Sequence, residues 1–225
     1  MRDHVDGFCG PLAAEQFEGG QSNPTYKLVA GSGAYVLRRK PVGHLLPSAH
    51  AVDREYRVMR ALADTKVPVP HVHALCEDDA IIGSTFYVME FLDGRIFWDP
   101  RLPGLAAAER RAMFVSMNAV IAALHSVDQT DVGLADFGRP GNYMARQIGR
   151  WSKQYQASET QPQPAMDALI EWLPRRVPPE EGSRIVHGDY RMDNLVFHKS
   201  KPRVIGVLDW ELSTVGNPLA DLPIM

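Results

Sequence analysis

Cysteine is scarce in this chain: Cys9 and Cys76 are the two among 225 residues. Two thiols cannot build a disulfide framework, and alone they cannot hold a structural zinc, so a reducing, cytoplasmic setting is expected. Long apolar runs are lacking too. Those near Ala112–Leu124 and Ala80–Met89 fall short of the roughly 20 residues a membrane-spanning helix needs, and no membrane role is expected. The opening Met1-Arg-Asp-His-Val-Asp has no apolar signal region. Charge of one sign is also missing. With 24 Lys+Arg against 27 Asp+Glu the net charge is −3, a poor basis for general nucleic-acid binding. No internal repeat or low-complexity segment occurs, and the Asn23-Pro24-Thr25 triplet is barred from glycosylation by its proline. What remains is 45% hydrophobic, enough to bury a sizeable core.

Apolar periodicity divides the chain into two styles. Thr25–Ala30 and Ala34–Arg39 alternate like strands around Gly31-Ser32-Gly33, a hairpin signal. This Gly-x-Gly is read as a turn rather than a dinucleotide loop, because position 36 is valine and no helix follows. Pro47-Ser48 opens a helical stretch with Ser48 as N-cap. Val52, Tyr56, Met59, Leu62 and Ala63 recur at helical spacing until Val67-Pro-Val-Pro70 ends the helix. His71–Cys76 and Ile81–Leu92 read as two more strands. His71, His73 and Cys76 are read as strand residues rather than metal ligands, since no fourth ligand is near. After Asp93-Gly94 the pattern turns helical. Met113, Phe114, Met117, Val120, Ile121 and Leu124 form one stripe, and Tyr143–Gln156 and Ala165–Leu173 are further helices about a polar linker. Short apolar strands return at Arg184–Val186, Leu195–Phe197 and Val204–Leu208. The fold class expected is α+β.

The chemistry concentrates late in the chain. His187-Gly-Asp-Tyr-Arg-Met-Asp-Asn194 follows a strand, and fifteen residues after Asn194 another strand ends in Leu208-Asp209-Trp210. Phosphoryl transfer needs a carboxylate to align an acceptor hydroxyl, hard oxygen ligands for magnesium, and cationic or N–H support for phosphates. Asp189 followed five positions on by Asn194, then by Asp209 on the next strand end, supplies the first two. The spacing matches the Asp-x-x-x-x-Asn loop of protein kinases. A carboxylate, an amide oxygen and a second carboxylate suit magnesium and not zinc.

This segment, with Leu208-Asp-Trp-Glu-Leu-Ser-Thr-Val-Gly-Asn-Pro-Leu-Ala-Asp221, resembles the aminoglycoside phosphotransferase family of kinase-like enzymes. More narrowly it is similar to the branch related to the N-terminal kinase-like domain of acyl-CoA dehydrogenase family members 10 and 11. Phe17–Tyr26, Tyr35–Pro41 and Leu46–Arg57 resemble the same branch in the same order. The resemblance implies a two-lobed protein-kinase-like fold: residues 1–92 as the nucleotide-binding lobe of antiparallel sheet, 93–225 as a mainly helical catalytic lobe, and ATP between them. By the same resemblance Gly19, Gly20, Gln21, Ser22 and Asn23 belong to a loop over the triphosphate. Arg38 stands where the family commonly has a phosphate-binding lysine, with Lys40 the alternative two residues on, and Glu55 is the ion-pair partner. Glu90 and Leu92 would meet the adenine edge through backbone C=O and N–H. Asp189 resembles the catalytic aspartate, Asn194 and Asp209 the magnesium ligands, while His187 and Asp221 would brace the loop.

These readings lead to an ATP- and Mg²⁺-dependent phosphotransferase acting on a hydroxyl of a small molecule. The expected acceptor is a hydroxy acid or hydroxyacyl-CoA. An aminoglycoside is less expected because the chain shows no acid cluster beyond the catalytic ones. The alternative is a catalytically impaired nucleotide-binding module. The chain ends soon after Asp221, so the C-terminal lobe is expected to be incomplete.

Overall fold

Turn chemistry and alternation fix the first sheet. In the computed structural model, which describes residues 1–17, 23–41, 51–139, 141–180 and 182–224, β2 (Thr25–Ala30) and β3 (Gly33–Arg39) pair antiparallel with Ala30 opposite Gly33. Gly33 takes a φ of 136°, a setting that penalises any Cβ, so the glycine makes the tight reversal affordable. β5 (Phe86–Glu90) pairs with the far side of β3, β4 (Val72–Cys76) with β5, and β1 (Leu12–Gln16) with β2. Among the described residues the order is β1-β2-β3-β5-β4, antiparallel throughout.

Helix α1 (Val52–Leu62) lays Val52, Val58, Met59 and Leu62 into the core, and the same face buries the acidic Glu55. The proposed cap at Ser48 lies outside the described residues; Ala51, which precedes the helix, gives no side-chain cap. Two sequence expectations change here. The strand expected from Ile81 begins only at Phe86. Ile81 and Ile82 lie exposed in the short α2 (Asp79–Ile82), where Asp78 accepts from the Ala80 N–H and Gly83 closes the turn in the left-handed region. An Asp cap and a Gly stop outweigh two β-branched residues. Phe114 also leaves the stripe expected of it: it is exposed on α3 (Ala107–His125), while Met113, Met117, Val120, Ile121 and Leu124 are buried.

The second half of the chain packs below the sheet. β6 (Gly94–Arg95), β8 (Leu195–His198) and β9 (Val204–Val207) form one small sheet, and β7 (Arg184–Val186) pairs with β10 (Thr214–Gly216). α4 (Tyr143–Ser158) and α5 (Pro164–Trp172) lie outside, with Trp151, Leu169 and Trp172 exposed. A continuous apolar cluster runs from Val36 and Tyr87 in the sheet through Met59 of α1 to Met117 of α3, Phe197 and Trp210. Each large side chain buried there contributes about 1.5–3 kcal/mol. Among the described residues no helix is long and apolar enough to cross a membrane.

Candidate active site

The loop after β7 is held from three sides. Asp221, with no exposed side-chain surface, accepts the backbone N–H of His187 (2.9 Å) and of Gly188 (2.8 Å), and His125 Nε2 donates to it at 2.9 Å. The bracing role expected of Asp221 is thus present as geometry. Gly188 takes a φ of 83° and lies so near Leu212 that a Cβ would stand 2.7 Å from its carbonyl oxygen, so only glycine fits the turn. Tyr190 donates its hydroxyl to the Met117 carbonyl (2.9 Å), pinning the loop to α3.

His187 links the loop to the next strand end. Its Nε2 donates to the Leu208 carbonyl (2.9 Å), and its Nδ1 accepts the Asp189 N–H (3.2 Å). Those two bonds define a neutral ring, and burial lowers its pKa from the ordinary value. The imidazole packs on Trp210 at 4.6 Å between ring centres. One side chain therefore spaces Asp189 from the residue before Asp209. Asn194 completes the loop: its Nδ2 donates to the Asp189 carbonyl (2.9 Å) and to Asp189 Oδ2 (3.0 Å), which turns its amide oxygen the other way. Asp209 occupies the left-handed region at φ 63°, a setting that costs a non-glycine residue about 1–3 kcal/mol and recurs at functional sites.

From the sheet side comes Arg38. Its Nε donates to Glu55 Oε1 at 3.0 Å and its Nη2 to Asp209 Oδ1 at 2.5 Å, while Glu211 Oε2 lies 3.8 Å away. Burial opposes the charge on Arg38, but Glu55, Tyr87, Asp209 and Glu211 outweigh it and hold the guanidinium more firmly protonated than usual. Glu55 is fully buried. Burial raises its carboxyl, Arg38 works against that, and the outcome is pushed up to about 7. Tyr87 donates to Glu55 Oε2 (3.2 Å), and Asn23 Nδ2 donates to Glu55 Oε1 and Glu211 Oε2, both at 3.2 Å. Lys40 instead pairs with Asp53 at 2.9 Å, so of the two cations considered for the phosphates it is Arg38 that faces the cleft.

These groups share one cleft of about 590 Å³. Asn23, Arg38, Glu90, Leu92, Asp189, Asn194 and Asp209 line it, with Glu55 behind Arg38. Val36, Met89, Val196 and Leu208 add apolar wall. The expected Gly19, Gly20, Gln21 and Ser22 lie outside the described residues. Sequence reasoning missed Trp98, which is 73% exposed at the cleft, and the ion pair of Arg191 with Asp193 (2.6 Å) beside it. The latter pair stood inside the motif and was visible as an i, i+2 opposite-charge pair. Glu211 was visible too, two residues past Asp209. It now forms a carboxylate group with Glu55 and Asp209 in which the oxygens lie within 4.8 Å of one another.

An antiparallel sheet carrying Arg38, a helix carrying Glu55, and a loop and strand end carrying Asp189, Asn194 and Asp209 define a protein-kinase-like fold. The profile of the Phosphotransferase enzyme family matches residues 13–225, and the chain belongs to that family. Acyl-CoA dehydrogenase family member 10 of Mus musculus is 52% identical over 213 residues, covering 95% of this chain and 20% of that protein. The crystal structure of a candidate aminoglycoside phosphotransferase from Ralstonia eutropha is 57% identical and superposes with a TM-score of 0.90 over 99% of this chain and 65% of that one. An aminoglycoside phosphotransferase solved in ternary complex with ADP and hygromycin B shares the fold at 18% identity and a TM-score of 0.69, over 94% of this chain and 70% of that one. The chain therefore spans about a fifth of the curated relative's length. The family and the kinase-like fold expected from the motifs are both borne out.

Proposed function

We propose that this protein is an ATP- and Mg²⁺-dependent phosphotransferase acting on a hydroxyl of a small molecule. Residues 1–92 serve as its nucleotide-binding lobe and 93–225 as its catalytic lobe, in the cytoplasm. The observation that carries the reading is the meeting of Arg38, Asp189, Asn194 and Asp209 in one partly apolar cleft. The donor set fits the cofactor. Asp209 and Asn194 offer hard oxygens of the kind magnesium takes, and the cleft volume is in the range of nucleotide pockets.

When bound, Mg²⁺·ATP supplies the γ-phosphoryl group and the cation that offsets its charge. The chain's own residues do the rest. Asp189 accepts the acceptor's hydroxyl proton at its carboxylate, oriented by the Asn194 amide and by the His187 ring beneath its N–H. Arg38, held by Glu55, supports the phosphates together with the loop of Gly19, Gly20, Gln21, Ser22 and Asn23. The Glu90 carbonyl and Leu92 N–H hold the adenine edge, and the apolar wall excludes water from the base. For the acceptor we favour a hydroxy acid or hydroxyacyl-CoA over an aminoglycoside. Of the cleft acids, Asp193 and Asp209 are already paired with Arg191 and Arg38, which leaves Asp189 and Glu90 as the carboxylates to meet a polycation, fewer than such an acceptor calls for.

The test is transfer of the ATP γ-phosphate to a panel of hydroxy acids and hydroxyacyl-CoAs. Asp189→Asn is expected to lower transfer by about 10²–10⁴-fold with Mg·ATP affinity nearly unchanged. Activity within a few-fold of the unaltered protein would remove Asp189 from that role. One observation favours a second reading, a nucleotide-binding module without transfer: the proposed metal ligand Asp209 is engaged by Arg38 at 2.5 Å. Mg·ATP that raises the melting temperature while every acceptor stays unphosphorylated would favour it.

A further inference from the structure

Phosphotransfer as proposed uses Glu55 of α1 and leaves its neighbour Arg54 without a task. Arg54 is nevertheless held by two backbone carbonyls and an aromatic ring. Its Nη2 donates to the Phe137 carbonyl at 2.9 Å and to the Ser213 carbonyl at 3.2 Å, and its guanidinium lies 4.1 Å over the Phe137 ring. Arg57, three residues on, donates to the Gly133 carbonyl (3.1 Å) and to the Asp136 carboxylate, and stands 5.8 Å from the centre of the same ring.

The partners of Arg54 are themselves fixed. Phe137 is 1% exposed. Gly138 passes so close to β10 that a Cβ would stand 2.7 Å from the Val215 nitrogen, which fixes the backbone next to Phe137. Ser213 is buried, and its N–H (3.0 Å) and hydroxyl (2.5 Å) both donate to the Trp210 carbonyl. Ser213 follows Asp209 by four residues. Arg54 therefore ties the helix that bears Glu55 to the turn that bears Asp209, through a route separate from the Arg38 bridge.

We infer that Arg54 is a positioning residue for nucleotide phosphate binding. By holding α1 at a set distance from the Asp209 turn, it keeps Glu55 on Arg38 and Arg38 facing the phosphate end of the cleft. In kinase folds the placement of this helix governs whether the phosphate-binding pair forms. Here the chain fastens the helix with its own arginine. The inference rests on the phosphotransfer reading.

The experiment is calorimetric titration of the full chain with Mg·ATP and, separately, with adenosine, which lacks phosphates. Arg54→Met keeps an apolar stem over Phe137 and removes both donors. Its Kd for Mg·ATP is expected to rise about tenfold, as loss of charged hydrogen bonds predicts, with adenosine within about twofold. Arg54→Lys retains a point charge without the fork and is expected to fall between. Should Arg54→Met not fold, the lysine variant decides by the same comparison. Mg·ATP affinity unchanged in the folded variants overturns the inference, and so does a parallel loss of both ligands, which marks a merely structural role. Failure of the unaltered protein to bind Mg·ATP would overturn the phosphotransfer reading and this inference with it.

Discussion

At the scale of single residues, two buried groups pull stability in opposite directions with pH. Glu55 returns on unfolding to its ordinary value near 4.5, whereas burial, only partly countered by Arg38, pushes it to about 7 in the fold. Its folded pKa is the higher one. The stability it contributes is therefore complete below about 4.5 and is lost as pH rises toward 7. His187 is the reverse case. Unfolded, it titrates near 6.5; folded, burial lowers it while the Leu208 carbonyl works the other way. Its contribution is held above about 6.5 and lost as pH falls, because a second ring proton would break the bond from the Asp189 N–H. In melting temperature measured against pH, Glu55→Gln is expected to remove the decline toward neutrality and His187→Gln the decline toward acid. The scale is about 2–4 °C per kcal/mol for a chain of this size. Unaltered slopes in both variants would show that neither ionisation is linked to folding. Asp189, Asn194 and Asp209 were legible in advance by their spacing, which matches a phosphoryl-transfer loop, whereas His187 and Asp221 were reached only through the resemblance to a family. Distant partners were not legible: His125 lies 96 residues from Asp221 and Phe137 lies 83 from Arg54, and no local pattern encodes such pairs.

Elements were legible where local chemistry agreed with the final packing. The β2–β3 hairpin and α1 announce themselves by a glycine turn and a four-residue apolar recurrence. The hairpin stands as expected. Helix α1 covers Val52–Leu62; its expected start at Pro47-Ser48 lies outside the described residues, and its stripe stops short of the exposed Ala63. β1 was invisible. Leu-Ala-Ala-Glu-Gln is exposed throughout, has helix-forming composition, and is a strand only because the edge of β2 is available to it. Strand β9 shows how an element can carry a functional constraint in a residue without a side chain. Gly206 faces Leu92 so closely that a Cβ would collide with its Cδ1. Leu92 lines the cleft and its side chain can swing, so Gly206→Ala is expected to drive it into the space proposed for the base. Adenosine affinity should fall several-fold, with an overpacking penalty of about 1–3 kcal/mol in stability. Adenosine binding equal to that of the unaltered protein would place the base elsewhere.

For the molecule as a whole, a net charge of −3 spread over 225 residues says little about any one place on it. The fold concentrates that charge. A single guanidinium, that of Arg38, is within 4 Å of three carboxylates, Glu55, Asp209 and Glu211, drawn from positions 17, 171 and 173 residues away along the chain. Charge of both signs is therefore gathered at one end of the cleft, where Asp209 and Arg38 meet. Binding measured in EDTA should find bare ATP about tenfold weaker than Mg·ATP, because Asp209, the proposed metal ligand, offers the phosphates a like charge unless a divalent ion lies between. Bare ATP binding as tightly as Mg·ATP would refute this. In the proposed function the Arg38–Asp209 contact would act as an admission rule: the carboxylate that opposes a bare triphosphate would receive it once a divalent ion travels with it, so nucleotide and metal would enter as one particle.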